Sequence, residues 1–186
     1  MVPLAALWLP ILLSAVAVFL VSSVIHMFSP WHKNDFIRVP DEPRFRTTFA
    51  SLGIPPGEYM VPRAASSKEM RAPDFVERVK QGPNVIMTVL PNGPFNMGRP
   101  LGQWFAYLVV VAIFAGYVAG RALPPGAESA EVIRFVGVAA FLSFAVALWQ
   151  TSIWYGRAWV TTIKSTVDGL IYSLLTALIF CWLWPR

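Results

Sequence analysis

Thr161, Lys164, Ser165, Asp168, Tyr172 and Thr176 recur at steps of three and four residues within a mostly apolar run, so a helix would bring them to one face. A cation and an anion one turn apart, flanked by hydroxyls, suit an ion path, a proton relay or a polar ligand at membrane depth. Charge there is costly, so Asp168 is expected to take Lys164, one turn earlier, or Arg157 as its partner. Two readings compete. In one, Gln150, Lys164, Asp168 and Tyr172 form a polar cluster that shares a pocket in one leaflet with His26, Gln103 and Tyr107. In the other, preferred because these residues lie close to a helix end, Lys164 and Asp168 pair locally at head-group level and snorkel.

His26 is the only histidine inside an apolar run, where its imidazole could ligate a haem iron or a chlorophyll magnesium. Ser22 stands four residues earlier, and this small-residue, three-spacer, histidine arrangement resembles the one by which light-harvesting polypeptides hold bacteriochlorophyll. That resemblance covers five residues. The preferred alternative is a histidine that only hydrogen-bonds at the interface. His32 falls beyond the run and is expected not to form a stacked ligand pair with it. Cys181 is the sole cysteine, which excludes an internal disulfide or a multi-cysteine metal site. No phosphate-cradling glycine loop, metal-ligand spacing or nucleophile constellation is present, so a non-enzyme is expected.

The elements that must position these residues follow from hydropathy. The chain has 186 residues, of which 56% are hydrophobic and 13% charged, the balance of an integral membrane protein. Val2 to Phe28 carries no charged side chain and is long enough to cross a hydrocarbon core of about 30 Å. Lys33, Arg38, Arg44 and Arg46 follow it, the reverse of a cleavable signal peptide, so it reads as an uncleaved anchor with a kink at Pro10. A second span runs from Leu101 to Gly120, and Glu131 and Arg134 lead into a third that ends near Thr151. Trp149 to Trp159 reads as an interfacial re-entry, and a fourth span runs from about Thr162 to Trp184, with Trp182 and Trp184 at its far interface. Ala112, Gly116 and Gly120 leave one face of the second span almost without side chains, and Ala139, Ser143 and Ala147 form a matching stripe on the third. These two stripes are expected to face each other in a hairpin.

Residues 29–100 hold ten of the fifteen Lys and Arg and form the only part able to fold in water, a small α+β lid. Asp41 is placed to cap a short helix bearing Phe45, Phe49 and Leu52, with Gly53 ending it. A second helix is expected from Pro73 to Gln81, stopped by Gly82-Pro83, and Val85 to Leu90 is expected to pair as a strand with Tyr59 to Val61. The expected fold is therefore all-α and membrane-integral: helix 1 over 1–28, the lid over 29–100 and helices 2 to 4 over 101–186. Charges near the membrane favour Lys33, Arg38, Arg44, Arg46, Arg99, Arg157 and Lys164 on the lid side over Arg121, Arg134 and Arg186 opposite. The positive-inside rule then places the lid in the cytoplasm and both ends of the chain in the periplasm.

Trp31-His32-Lys33-Asn34-Asp35 and Asp168-Gly169-Leu170-Ile171-Tyr172 resemble a family of bacterial four-helix membrane proteins without an established activity. The resemblance implies a bacterial inner membrane and this topology, and leaves function open. Few intramembrane ionisable groups and many aromatic and small packing residues point to a non-catalytic accessory or assembly subunit of a larger membrane complex, respiratory or photosynthetic in kind. Its partners are other membrane subunits and anionic lipids, not nucleic acid. The alternative is a small transporter or channel protomer using the Lys164 and Asp168 face.

Overall fold

The computed structural model describes residues 1–94 and 96–186 and divides into two units. The first comprises Met1–Phe36 together with the chain from Asn96 to Arg186. It begins with a 3-10 turn, Leu4–Leu7, that runs into helix α1, Trp8–Met27. Pro10, where a kink was expected, lies instead in the first turn of α1. The backbone donors there have no intrahelical acceptor, so the proline removes no bond. Because α1 is apolar all round, hydrophobicity cannot select its inner face. The buried face carries Ile11, Ser14, Ala15, Val18 and Ser22, so it holds both hydroxyl and small residues, while Leu12, Val16, Leu20 and Val24 are exposed.

The second unit, the described residues between 37 and 95, follows local signals closely. Helix α2, Glu42–Ser51, starts where the Asp41 carboxylate accepts from the Arg44 N–H at 3.0 Å. It is followed by Gly53 at φ +61, which favours glycine. Strand β1, Gly57–Val61, pairs antiparallel with β2, Val85–Val89, with Tyr59 opposite Met87. Between them lie α3, Ser67–Met70, and α4, Pro73–Gln81. The sequence reading passed over α3, although Ser66 caps it by accepting from the Glu69 N–H. Phe75 is buried, and Phe45 stacks on Phe49 with ring centroids 5.4 Å apart.

The first unit resumes with α5, Gly98–Ala122, and α6, Ser129–Phe144. A 3-10 turn, Val146–Leu148, leads to α7, Trp149–Tyr155, and α8, Trp159–Trp182, closes the bundle. Four stretches, Leu4–Met27, Gly98–Ala122, Ser129–Tyr155 and Trp159–Trp182, are long and apolar enough to cross a membrane. The segment expected as a re-entry is thus largely helical, with Gly156 at φ +67 after α7, and α8 begins three residues earlier than expected. The break between α6 and α7 coincides with a helix crossing. A Cβ on Gly169 of α8 would lie 2.8 Å from the Ala145 Cβ and 3.1 Å from the Phe144 carbonyl carbon.

The two small-residue stripes do not meet as expected. A Cβ on Gly116 would lie 2.9 Å from Phe180, and one on Gly120 would lie 2.6 Å from the Val2 carbonyl oxygen. α5 and α6 do pack side by side, but the bare face of α5 at Gly116 and Gly120 receives the Phe180 side chain of α8 together with Leu7 and Val2. On α6 the buried stripe is Val132, Val136, Ala140 and Phe144, one position away from Ala139, Ser143 and Ala147. Ala139 still packs against the cluster containing Ala112, but Ala147 is exposed. A bulky buried stripe fills the groove that two facing alanine stripes would have closed by backbone approach. Trp184, expected at an interface, is buried and donates its indole N–H to the Pro124 carbonyl at 3.1 Å, whereas Trp182 is exposed.

Candidate functional site

Opposite the end where Val2 meets Gly120, α1 finishes and the chain turns back. Ser29 accepts from the Trp31 N–H at 3.0 Å, opening a 3-10 turn, Pro30–His32, and the Asp35 N–H then donates to the His32 carbonyl at 3.1 Å. This compact turn aims His32 and Asp35 at α8. His32 Nδ1 lies 2.7 Å from Asp35 Oδ2, and His32 Nε2 lies 2.8 Å from Asp168 Oδ2. Lys164 Nζ donates to Asp35 Oδ1 at 2.8 Å and sits 5.8 Å from the centre of the Trp31 ring. A continuous chain results: Lys164, Asp35, His32, Asp168.

This arrangement corrects the expected pairing of Asp168 with Lys164 or Arg157. Asp168 takes His32, Lys164 takes Asp35, and Arg157 donates to the Ser165 hydroxyl at 3.3 Å. Asp168 is 4% exposed and lies about 14 Å along α8 from Trp159, by the rise of 1.5 Å per residue. Lys164 stands one turn back on the same face, but Asp35 takes its ammonium and leaves Asp168 without it. A histidine delivered by another segment meets it directly. Burial opposes ionisation of Asp35, but hydrogen bonds and positive charge from Lys164 and His32 outweigh it and hold its carboxyl below the usual carboxylate range.

His26, one residue from the end of α1, stacks on His32, with ring centroids 4.4 Å apart and planes tilted by 34°. The expectation that His32 would not pair with His26 is thereby overturned. A helix end followed by a tight turn brings residue 32 back over residue 26, whereas extended chain would carry it away. Nitrogen atoms of His26 and His32 and a carboxylate oxygen of Asp168 all lie within 4.8 Å of one another. Such spacing suits a small cation rather than the central metal of a haem or bacteriochlorophyll, whose macrocycle supplies four nitrogens of its own and needs an open face at the histidine.

Beside these groups lies a cavity of about 720 Å³. Leu101, Trp104, Phe144 and Leu148 give it apolar walls, and Ser22, His26, Gln103, Tyr107, Asp168 and Tyr172 contribute polar atoms. Trp104 donates to the Ser22 hydroxyl at 2.9 Å, and Tyr107 to the Ser143 carbonyl at 2.7 Å. The Tyr172 hydroxyl is buried and has no hydrogen-bond partner among the described residues. Of the residues assigned to a polar cluster from sequence, Asp168 and Tyr172 share this cavity, and Lys164 reaches the site through Asp35. Gln150 does not line it: it is exposed on α7, because the break at Ala145 redirects the chain before that residue.

His32 and Asp35 are the site residues that sequence reasoning missed. Their signal was present as a histidine and an aspartate three apart on a Ser-Pro-initiated turn, a spacing that lets one side chain orient the other. Compared with known proteins, the chain matches no family model, no curated protein and no solved structure.

Proposed function

We propose that this chain is a multi-pass protein of a bacterial inner membrane that holds a small amphipathic molecule at the charged end of its bundle. In this role it is a non-catalytic accessory or assembly subunit of a larger membrane complex. Four apolar helical stretches support the membrane reading, as do the large apolar side chains they turn outward, among them Leu20, Phe114, Leu142 and Leu178. Within the first unit, Lys33, Arg99, Arg157 and Lys164 mark the charged end and Arg121, Arg134 and Arg186 the other. This balance supports a cytoplasmic charged end and a periplasmic location for both ends of the chain.

One observation carries the ligand reading: a cavity of about 720 Å³ walled by Trp104, Tyr107, Phe144 and Tyr172, to which His26, Gln103 and Asp168 contribute polar atoms. Ligand sites commonly measure about 300–1,000 Å³, with mainly apolar walls and a few convergent polar groups. A guest with a hydrogen-bonding head and an apolar body would meet His26 and Gln103 with the one and cover Trp104 and Phe144 with the other. The transporter alternative draws less support. Lys164 and Asp168 are consumed by pairs within one chain, so they do not present free charge to a path between protomers.

The test is purification in a mild detergent without a polyhistidine tag, followed by mass spectrometry of small molecules and co-migrating proteins, and titration with a fluorescent fatty acid. The expected outcome is a bound amphiphile in the wild type, together with stable partner subunits. Leu101→Trp and Gln103→Trp, which fill the cavity from its wall, should weaken fatty-acid binding at least tenfold. Equal binding by wild type and both filled variants would remove the ligand reading, and a protein that migrates alone from its native membrane would remove the subunit reading.

A further inference from the structure

We infer that His26, His32 and Asp168 form a binding site for one divalent transition-metal ion, of the Zn²⁺ or Fe²⁺ type, with Asp35 and Lys164 as its supporting shell. This inference goes beyond the amphiphile reading and stands on side chains that do not depend on it. Two imidazoles and one carboxylate are a ligand set that first-row divalent metals accept while keeping positions free. The three ligand atoms lie within 4.8 Å of one another, and the closest pair, His32 Nε2 and Asp168 Oδ2, is 2.8 Å apart. A tetrahedral Zn²⁺, with bonds of about 2.0–2.2 Å, keeps its ligand atoms about 3.3 Å apart. The site therefore needs only to open between His32 and Asp168 and draw His26 in.

The second independent observation is the orientation of His32. A metal-bound histidine characteristically donates its other ring N–H to a carboxylate, which fixes tautomer and ring angle. Here Nδ1 faces Asp35 at 2.7 Å, leaving Nε2 directed at Asp168 and the site, and Lys164 anchors the far oxygen of Asp35 at 2.8 Å. Were the role only to neutralise Asp168, one cation would suffice. A carboxylate held by lysine behind the histidine also fixes its tautomer and ring angle, as the supporting carboxylate of a metal-bound histidine does. His26 and Asp168 also line the cavity, so the positions left on the ion open toward it.

The inference is tested on the full chain, purified with a tag free of histidine, stripped with chelator and titrated with Co²⁺, whose visible bands report nitrogen and oxygen ligation. Elemental analysis after desalting gives the stoichiometry. One ion per chain is expected, displaced by Zn²⁺. His26→Ala should lower the affinity at least tenfold. Because His26 is exposed and outside the ion-pair chain, that variant should keep the fold, as circular dichroism and size-exclusion chromatography would show. Asp168→Asn should lower the affinity at least as much, although it also removes the partner of His32 and so costs stability, and Asp35→Asn should weaken binding by about ten- to a hundredfold without changing the ligand count. A monodisperse wild type that retains no ion overturns the inference, as does retention unchanged in folded His26→Ala. A chain that keeps the ion but takes up no amphiphile would sustain the metal site and remove only the cavity ligand.

Discussion

The two ends of the bundle are held together by different means. At the end where the chain starts, α5 offers Gly116 and Gly120, and Phe180, Leu7 and Val2 fill the space their missing side chains leave. The Val2 N–H donates to the Gly120 carbonyl at 2.8 Å, so backbone touches backbone. At the other end the gap between α1 and α8 is bridged by a turn carrying His32 and Asp35, and a cavity remains beside it. The packed end keeps only a hollow of about 330 Å³ beside Val2, Leu4 and Tyr117, whereas the cavity at the charged end is about 720 Å³ and carries more polar side chains. The charged end thus combines polar side chains with open space, while the packed end relies on close approach of backbone and apolar side chains.

The largest effect that could break this contrast is the loss of Asp168. With that carboxylate gone, His32 keeps Asp35 but loses its partner on α8, and a buried pair broken from one side costs about 3–5 kcal/mol. We expect Asp168→Ala to lower the unfolding midpoint in mixed detergent by an amount near the lower end of that range, since His32 is partly exposed. Replacing Lys164 by Met and Asp35 by Leu together should cost less than the two single changes summed, because neither charge is then left without its partner. If Asp168→Ala unfolds like the wild type, the charged end is not held by its ions and the contrast fails.

Next in size is Gly120→Val at the packed end. Its side chain would drive into the Val2 carbonyl, a backbone atom that cannot rotate away, and overpacking of this kind costs about 1–3 kcal/mol. The same denaturation series reads it. Binding of fatty acid and metal should stay at wild-type levels, since the change lies at the far end from the cavity. Loss of binding without loss of stability would show that the two ends are not separable in function.

How much of this was legible depends on distance along the chain. Asp41, Gly53 and the Pro73–Gln81 helix could be read because a cap or a stop is decided within about four residues. The four apolar stretches were legible for a similar reason, since composition over some twenty residues decides them. His32 and Asp168 are 136 positions apart, and no local pattern says that they meet. The small-residue stripes show the intermediate case. Spacing revealed correctly that α5 has a bare face, but what fills it depends on how the helices rotate, and Phe180 and Leu7 took the place assigned to α6.

A smaller effect sharpens the boundary of the cavity. Ser22 is buried on α1 and receives the Trp104 indole N–H from α5, so it ties two cavity walls together. A hydrogen bond of this kind contributes about 1 kcal/mol net. Ser22→Ala should therefore lower stability by about that amount. It should also loosen the orientation of Trp104, visible as a change in fluorescence anisotropy in a variant that keeps Trp104 as its only tryptophan. An unchanged signal would mean that Trp104 is fixed by its stacking on Tyr107, with ring centroids 5.5 Å apart, and that the hydrogen bond is incidental.

The smallest expected effect tests where the site stops. Gln150 has the chemistry of a cavity residue and the sequence position of one, since a regular helix from Ser129 would have carried it inward. The chain leaves that path at Ala145, where Gly169 of α8 presses against the Phe144 and Ala145 backbone, and Gln150 emerges on the exposed side of α7. Exposed substitutions away from special features stay within about 0.5 kcal/mol. Gln150→Ala should then change neither unfolding nor the binding of fatty acid or Co²⁺. A loss of binding would place α7 against the cavity and require α6 to continue straight through residue 145. Gln150 thus reports, from outside the site, on the break that shapes it.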